Sequence, residues 1–266
     1  GYRHKIGLDY FDTYSPITCI TSIRLVLAIA SIRNLEVHQM DVKTTFLNGD
    51  LEEEIYMEQP DGYVAPGQES KGGKRGKAGD GLKQTPKQWH QKFDHVMLEN
   101  GYKINECDKC VYVKNTSEGY VILCLYVDDM LIVGSNDKMV QSTKDMLKAR
   151  FDMKDMGLAD VILGVKISRT TNGLTLNQTH YVDKILKKFN SGDTTVARTP
   201  IDTSHHLSKN RSGGIAQVEY ARIIGSLMYL MSCTTPDLAF AISRLSNISV
   251  IQVMNVGRVL KDYYNT

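Results

Sequence analysis

The 266-residue chain carries 32 basic and 30 acidic side chains, a formal charge of +2, and 42% hydrophobic residues. That is enough apolar material for one large or two modest cores, which excludes a disordered tail, and the near balance of charge gives no global case for a polyanion or membrane surface. No window reaches the roughly 18 apolar residues of a membrane span, and GYRHKIGLDY lacks the apolar core of a signal peptide, so an intracellular protein without a membrane partner is expected.

In chain order, TSIRLVLAIASIR (21–33) opens on a cap signal and is apolar almost all round, which predicts a helix buried on most sides. LEVHQMDVKTTF (35–46) alternates as a strand carrying Asp41, and the Asn-Gly of LNGDLEEE marks a turn after it. Residues 61–81, DGYVAPGQESKGGKRGKAGDG, are Gly- and Lys-rich and predict a loop that buries little. Thr85 as cap, Pro86 in the first turn, Trp89, Phe93, Val96 and Met97 at helical spacing, and Gly101 as a stop predict a helix over 86–100. CVYVKN (110–115), GYVILCLYV (119–127) and MLIVG (130–134) read as successive antiparallel strands, DKMVQSTKDMLKARF (137–151) as a helix, and VILGVKI (161–167) as a strand. Beyond 170, YVDKILKKFN and YARIIGSLMYLMS are helical, the first with Lys184, Lys187 and Lys188 outward.

From 35 to 167 this order fits a β-α-β-β-α-β, ferredoxin-like pattern, an α+β arrangement that makes the Asp41 strand a neighbour of the hairpin carrying Asp128 and Asp129. Clustered carboxylates cost electrostatic energy unless a cation offsets them, and hard oxygen donors suit Mg²⁺ together with substrate phosphates, which points to phosphoryl transfer. Alternation along a strand sends Asp128 and Asp129 to opposite faces, so Asp128 is expected to share a metal with Asp41 while Asp129 lies nearer the primer end. An Asp-Asp pair between apolar runs is, on its own, more often a hairpin turn than a catalyst. The conjunction with Asp41 and the topology favours the active site.

The five cysteines are scattered and odd in number, which predicts free thiols. The lone CxxC at Cys107 and Cys110 has no second ligand pair for zinc, and His205 and His206 read as solvated loop residues.

QMDVKTTFLNGDLEEEIYMEQPDGY, GLKQTPKQWHQKF, LYVDDMLIVGS, FDMKDMGLADVILGVKI and YARIIGSLMYLMSCTTPDLAFAISRLS, in that order, resemble the reverse transcriptase of Ty1/copia-type retrotransposons over nearly the whole chain. The resemblance implies a right-hand polymerase with fingers and palm over 1–168 (palm core 35–167), a thumb-like segment over 169–215, and a truncated connection region over 216–266 without ribonuclease H. It implies that Asp41, Asp128 and Asp129 are catalytic and hold two Mg²⁺ ions, with Mn²⁺ as a substitute. Phe46 would exclude a ribose 2′-hydroxyl, Gly81, Gln84 and Lys154 would meet the nucleotide, and Leu163 and Gly164 would form the primer grip. Lys184, Lys187 and Lys188 would contact nucleic-acid phosphates. Implied partners are an RNA or DNA template with its primer, deoxynucleotides and other parts of a Pol polyprotein, in a cytoplasmic virus-like particle or the nucleus.

The chain departs from the family pattern at KGGKRGKAGDGLKQ, where apolar residues are usual and Asp80 replaces a tyrosine. A strand beside the nucleotide pocket is therefore expected to be lost. Two readings follow: a Mg²⁺-dependent reverse transcriptase, and a catalytically inactive fragment that binds primer-template at most.

Overall fold

The computed structural model describes residues 13–48, 50–57, 73–77, 82–171, 173–188 and 217–246. The chain divides into two units, Gly1–Ala159 and Asp160–Thr266.

The first unit opens with α1 (Ile20–Ile32), which buries Ile23, Val26, Leu27 and Ala30. Leu25 and Ile32 are exposed on its other side, so α1 is one-sided where its composition predicts burial nearly all round. Its start is tied down by the Cys19 N–H donating to Asp108 Oδ2 at 2.9 Å and the Thr18 hydroxyl donating to the Leu125 carbonyl at 2.5 Å. Then come β1 (Glu36–Val42), a 3-10 turn (Thr45–Leu47), β2 (Asp50–Met57), β3 (Gly73–Lys77) and α2 (Thr85–Glu99). The remaining elements of this unit are β4 (Lys103–Ile104), β5 (Val111–Thr116), β6 (Gly119–Tyr126), β7 (Asp129–Gly134), α3 (Asp137–Arg150) and β8 (Met153–Leu158).

Six of these strands form an antiparallel sheet in the order β4-β5-β6-β7-β1-β8. Strand alternation divides its residues between two faces. One face buries Met40, Val42, Leu123, Leu125, Met130 and Ile132 against Trp89, Phe93, Val96 and Met97 of α2 and Val140 and Leu147 of α3. Phe93 sits at the centre, with ring centroids 5.5 Å from Trp89, 5.4 Å from Tyr112 and 5.7 Å from Phe151. α3 starts where expected, because the Asn136 side chain accepts the Met139 N–H at 2.9 Å. At the β8 edge the buried Lys144 ammonium of α3 donates to Asp155 at 2.8 Å and to His38 Nδ1 at 3.0 Å. Burial opposes ionisation of Asp155, but hydrogen bonds from Lys144, the Gly157 amide and Lys148 outweigh it and hold the carboxyl well below the usual range.

Four sequence expectations change. VILGVKI does not close this sheet: its residues form β9 (Val161–Ile162) and β10 (Val165–Thr170) in the second unit, and MKDMGL supplies the edge strand β8 instead. The apolar character of VILGVKI made it the stronger strand candidate, whereas an edge strand needs only one buried face and can read as polar. The segment around KGGKRGK is not wholly a loop, since β3 pairs antiparallel with β2 along Asp50↔Lys77 and Ile55↔Arg75. Backbone pairing there overrides a composition poor in strand formers. The strand predicted over 35–46 stops at Val42, because Thr44 turns left-handed (φ +49°) into the 3-10 turn that carries Phe46. Gln84, not Thr85, precedes the first helical residue of α2, and Thr85 is buried inside the helix.

In the second unit β9, β10 and β11 (Gly173–Asn177) form a three-stranded antiparallel sheet in the order β11-β10-β9. It is followed by α4 (Thr179–Lys188), α5 (Gln217–Cys233), a 3-10 turn (Pro236–Leu238) and α6 (Ala239–Ser246). Val182 and Ile185 of α4 pack on Ile223, Leu227 and Leu230 of α5, which also cover Leu238, Ile242 and Leu245. Among the described residues no helix is long and apolar enough to cross a membrane. All five cysteines are free.

Candidate active site

Asp41 lies on β1 and Asp129 opens β7, and the two are direct partners across the antiparallel ladder. Directly opposed residues share a face, with Cβ atoms about 5 Å apart. The same row continues to Tyr126 on β6 and to Lys154 on β8. Tyr126, Asp129, Asp41 and Lys154 therefore stand side by side across four strands at one end of the sheet. Their sequence neighbours Met40 and Met130 point the other way and are fully buried in the core. A one-residue slip would place the carboxylates in that core, so the hydrophobic pattern fixes their exposure.

Asp128 lies in the two-residue turn between β6 and β7. Its carbonyl accepts the Val42 N–H at 2.9 Å, which ties the turn to the strand carrying Asp41. The sequence expectation has Asp128 share a metal with Asp41; in the ladder it is Asp129 that stands opposite Asp41, because β7 begins at Asp129 and Asp128 belongs to the turn. The other turn residue, Val127, has φ +58°. A β-branched residue in the left-handed region is strained, and such strain persists only where surroundings over-determine it. The surroundings include Trp89, 2% exposed, whose indole N–H donates to the Val127 carbonyl at 2.9 Å.

Burial pushes the Asp129 carboxyl above the usual carboxylate range, the Gln39 amide opposes this by donating to its Oδ1 at 3.0 Å, and the charges of Asp128 and Asp41 add to the rise. Three carboxylates gathered this closely, one of them half-buried, form a site whose mutual repulsion a cation would relieve. Among the described residues no three Asp, Glu, His or Cys side chains close into a metal cage. A facing pair with a third carboxylate in the adjoining turn is an open donor set, and Mg²⁺ uses such sets, completing its shell with water and substrate phosphate. The residues present fit that ion.

Phe46 is half-buried on the 3-10 turn after β1, and Thr45 braces that turn by donating to the Val42 carbonyl at 3.0 Å. Gln84 is buried at the start of α2, and Gly81 lies outside the described residues. Lys154 is exposed beside Asp41. Leu163 and Gly164, both at positive φ, make the β9–β10 turn of the second unit, where the Tyr229 hydroxyl donates to the Leu163 carbonyl. Lys184, Lys187 and Lys188 are exposed on α4.

Sequence reasoning missed Gln39 and the indole donor of Trp89. Gln39 was within reach, since two residues before Asp41 places it on the same strand face. The Trp89 bond was not, because its partner is a backbone carbonyl remote in sequence. A second constellation, Cys110–His90–Asp94, has the connectivity of a nucleophile triad, with His90 3.3 Å from both Cys110 Sγ and Asp94 Oδ2. Burial first, then neighbouring carboxylates, push the Cys110 thiol up to about 12, and burial lowers His90. The cysteine stays protonated and the constellation is part of the core.

A mixed helix-and-sheet chain that gathers three carboxylates at one end of an antiparallel sheet has the general form of a nucleic-acid polymerase. Residues 1–203 match the family described as Reverse transcriptase (RNA-dependent DNA polymerase), and the chain belongs to that family. It is 44% identical over 256 residues to the retrovirus-related Pol polyprotein from transposon TNT 1-94 of Nicotiana tabacum, covering 92% of this chain and 19% of that protein. With the corresponding polyprotein from transposon RE1 of Arabidopsis thaliana it shares 35% identity, over 92% of this chain and 17% of the relative. The Ty5-1 transposon protein of Saccharomyces cerevisiae is 30% identical over 85% of this chain and 76% of its own length. These relatives make it a copia-type reverse transcriptase domain, and the chain spans less than a fifth of the two plant polyproteins. The family implies a right-hand polymerase fold and generally uses divalent metal ions.

Proposed function

We propose that this chain adds deoxynucleotides to a primer 3′ end under the direction of an RNA or DNA template, with Asp41, Asp128 and Asp129 as the residues that hold two Mg²⁺ ions. The observation that carries this reading is the ladder row Asp129–Asp41–Lys154 with Asp128 in the adjoining pinned turn. The strand order β6-β7-β1-β8, with α2 and α3 against one face, supports a ferredoxin-like palm in the first unit, and a thumb-like role falls to residues 169–215, with 216–266 as a connection region.

When bound, the ions supply activation of the primer hydroxyl and charge stabilisation on the leaving pyrophosphate. This chain's residues do the rest. Gln39 orients the Asp129 carboxylate, and Trp89 with the Val42 amide fixes the turn that presents Asp128. Lys154, exposed and opposite Asp41 in the ladder, would give a proton to pyrophosphate. Phe46 offers a ring that a 2′-hydroxyl would strike, and Gln84 and Gly81 border the nucleotide. Leu163 and Gly164 hold the primer, and Lys184, Lys187 and Lys188 meet phosphates. As a domain of a Pol polyprotein the chain would work beside that polyprotein's other parts, in a virus-like particle or the nucleus. Formation of β3 in the Gly/Lys-rich segment favours this reading over an inactive fragment.

The test is primer extension on poly(rA)/oligo(dT) with dTTP and Mg²⁺, comparing the chain with Asp128→Asn while duplex binding is measured in parallel. Extension that disappears in the variant is the expected result. Duplex binding without extension by the parent would establish the inactive fragment instead.

A further inference from the structure

Strand β8 is the outer strand of the six-stranded sheet and, among the described residues, pairs only with β1. A strand held by a single ladder needs a further restraint if one of its side chains is to keep its place. Lys154, opposite Asp41, is such a side chain.

The restraint lies one residue further on. Neighbouring strand residues point to opposite faces, so Lys154 turns to the carboxylate row while Asp155 turns to α3. There Asp155 Oδ1 accepts from the Lys144 ammonium at 2.8 Å and from the Gly157 N–H at 3.0 Å, and Oδ2 accepts from Lys148 at 3.0 Å. The Lys144 side chain is 5% exposed, and its ammonium also donates to His38 Nδ1 on β1 at 3.0 Å. One buried cation therefore ties both strands to the helix. The Gly157 bond closes an irregularity in the ladder: Met40 faces Asp155 and Gln39 faces Gly157, which leaves Met156 without a partner and puts Gly157 at φ +76°. A bulge of this kind re-aims the side chains beside it. A buried ion pair adds little net stability, and its best-attested use is to fix register.

We infer that Asp155 is a positioning residue for polymerisation: gripped by Lys144 and Lys148, it fixes the bulge and the register of β8 and so holds Lys154 opposite Asp41. The inference rests on the reading of Lys154 as proton donor to pyrophosphate and adds the residue that keeps this donor in place. Misplacement by about 1 Å can cost a rate about 100-fold, so a loosened edge strand reads out in turnover rather than in nucleotide affinity.

The test is a double-mutant cycle on primer extension by the full chain, with poly(rA)/oligo(dT), dTTP and Mg²⁺, at a temperature where circular dichroism shows each protein folded. The proteins are the parent, Lys154→Met, Asp155→Ala, Lys144→Met, and Lys154→Met combined with each of the last two. Lys154→Met is expected to lower kcat about 100-fold, the low end of what a general acid supplies. Asp155→Ala removes all three acceptor bonds and should lower kcat about tenfold, with KM for dTTP within about twofold of the parent. Lys144→Met leaves Asp155 its bonds to Lys148 and Gly157 and should cost about threefold; it carries the cycle alone if Asp155→Ala does not fold. Each double variant should match Lys154→Met within about twofold, because a misplaced donor is no worse than an absent one. Double variants that lose the same further factor as the single ones make the clamp merely structural, which overturns the inference and leaves the proton-donor reading standing. Clamp variants that melt lower yet keep the parent's kcat do the same. Lys154→Met at the parent's rate overturns the proton-donor reading and the inference with it. A parent that extends no primer overturns the polymerase reading as well.

Discussion

Strand β6 ends in two hairpin turns of equal length, and they are built on opposite plans. The turn at its start, Ser117–Glu118, is exposed and closed mainly by its flanking residues: Thr116 Oγ1 donates to the Gly119 carbonyl at 3.2 Å and accepts the Glu118 N–H at 3.3 Å, with one added bond from the cap residue of α3, Asn136, to the Glu118 carbonyl at 3.0 Å. Its unusual dihedral, φ +147°, is carried by Gly119, which adopts it without strain. The turn at the other end, Val127–Asp128, has no glycine and puts its left-handed dihedral on a β-branched residue. Its restraints come from Trp89 in α2 and Val42 in β1, both remote in sequence. An ordinary turn satisfies itself locally. A turn that holds a strained shape through distant partners is over-determined by its surroundings, and this one presents Asp128 next to the facing pair Asp129 and Asp41.

The largest expected effect tests that contrast directly. Asp129→Asn should lower primer extension by at least about 100-fold, the scale of losing one charge-stabilising group, while Glu118→Gln in the other turn leaves it within about twofold. The loss will not come from unfolding. A carboxyl whose folded pKa is raised contributes stability that is complete below its unfolded value and is lost as pH rises through the folded one, so ionised Asp129 weakens the metal-free fold. Asp129→Asn should accordingly be no less stable than the parent at pH 7 in chelator, as read by denaturant unfolding.

Next in size, Gly119→Val should cost about 2 kcal/mol of stability, because the new Cβ would stand 2.0 Å from Ser135 Oγ and the dihedral would become strained. Extension per folded molecule should not change. If it falls as far as it does for Asp129→Asn, the two turns are not functionally distinct.

Trp89→Phe keeps the ring that meets Phe151 at 5.1 Å and removes only the indole donor. It should cost about 1 kcal/mol in stability. Extension should drop about tenfold with kcat taking more of the loss than KM, since the turn is loosened and the nucleotide pocket is untouched. A stability loss with unchanged kcat would reduce Trp89 to core packing.

The smallest effect is expected from Val127→Gly. Relief of left-handed strain, about 1–2 kcal/mol, is offset by about 1 kcal/mol of added chain entropy, leaving a gain of about 0.5 kcal/mol. Extension should nonetheless fall severalfold, because a glycine no longer locks the turn. A variant that is both more stable and fully active would show that the strain serves no purpose.

The sequence by itself determined the helices α2 and α3 and the strands β5, β6 and β7 of the first unit, since apolar spacing and caps such as Asn136 act over a few residues. It also exposed the three aspartates, because each lies out of step with a run of core residues that must face inward. Tertiary structure alone decided which carboxylate stands opposite Asp41, which strand closes the sheet, that KGGKRGK contributes a strand, and that Trp89 holds the Val127–Asp128 turn. Strand register and edge position are set by pairing between segments distant in the chain, and a hydrogen bond to a backbone carbonyl leaves no mark on the identity of the residue that accepts it.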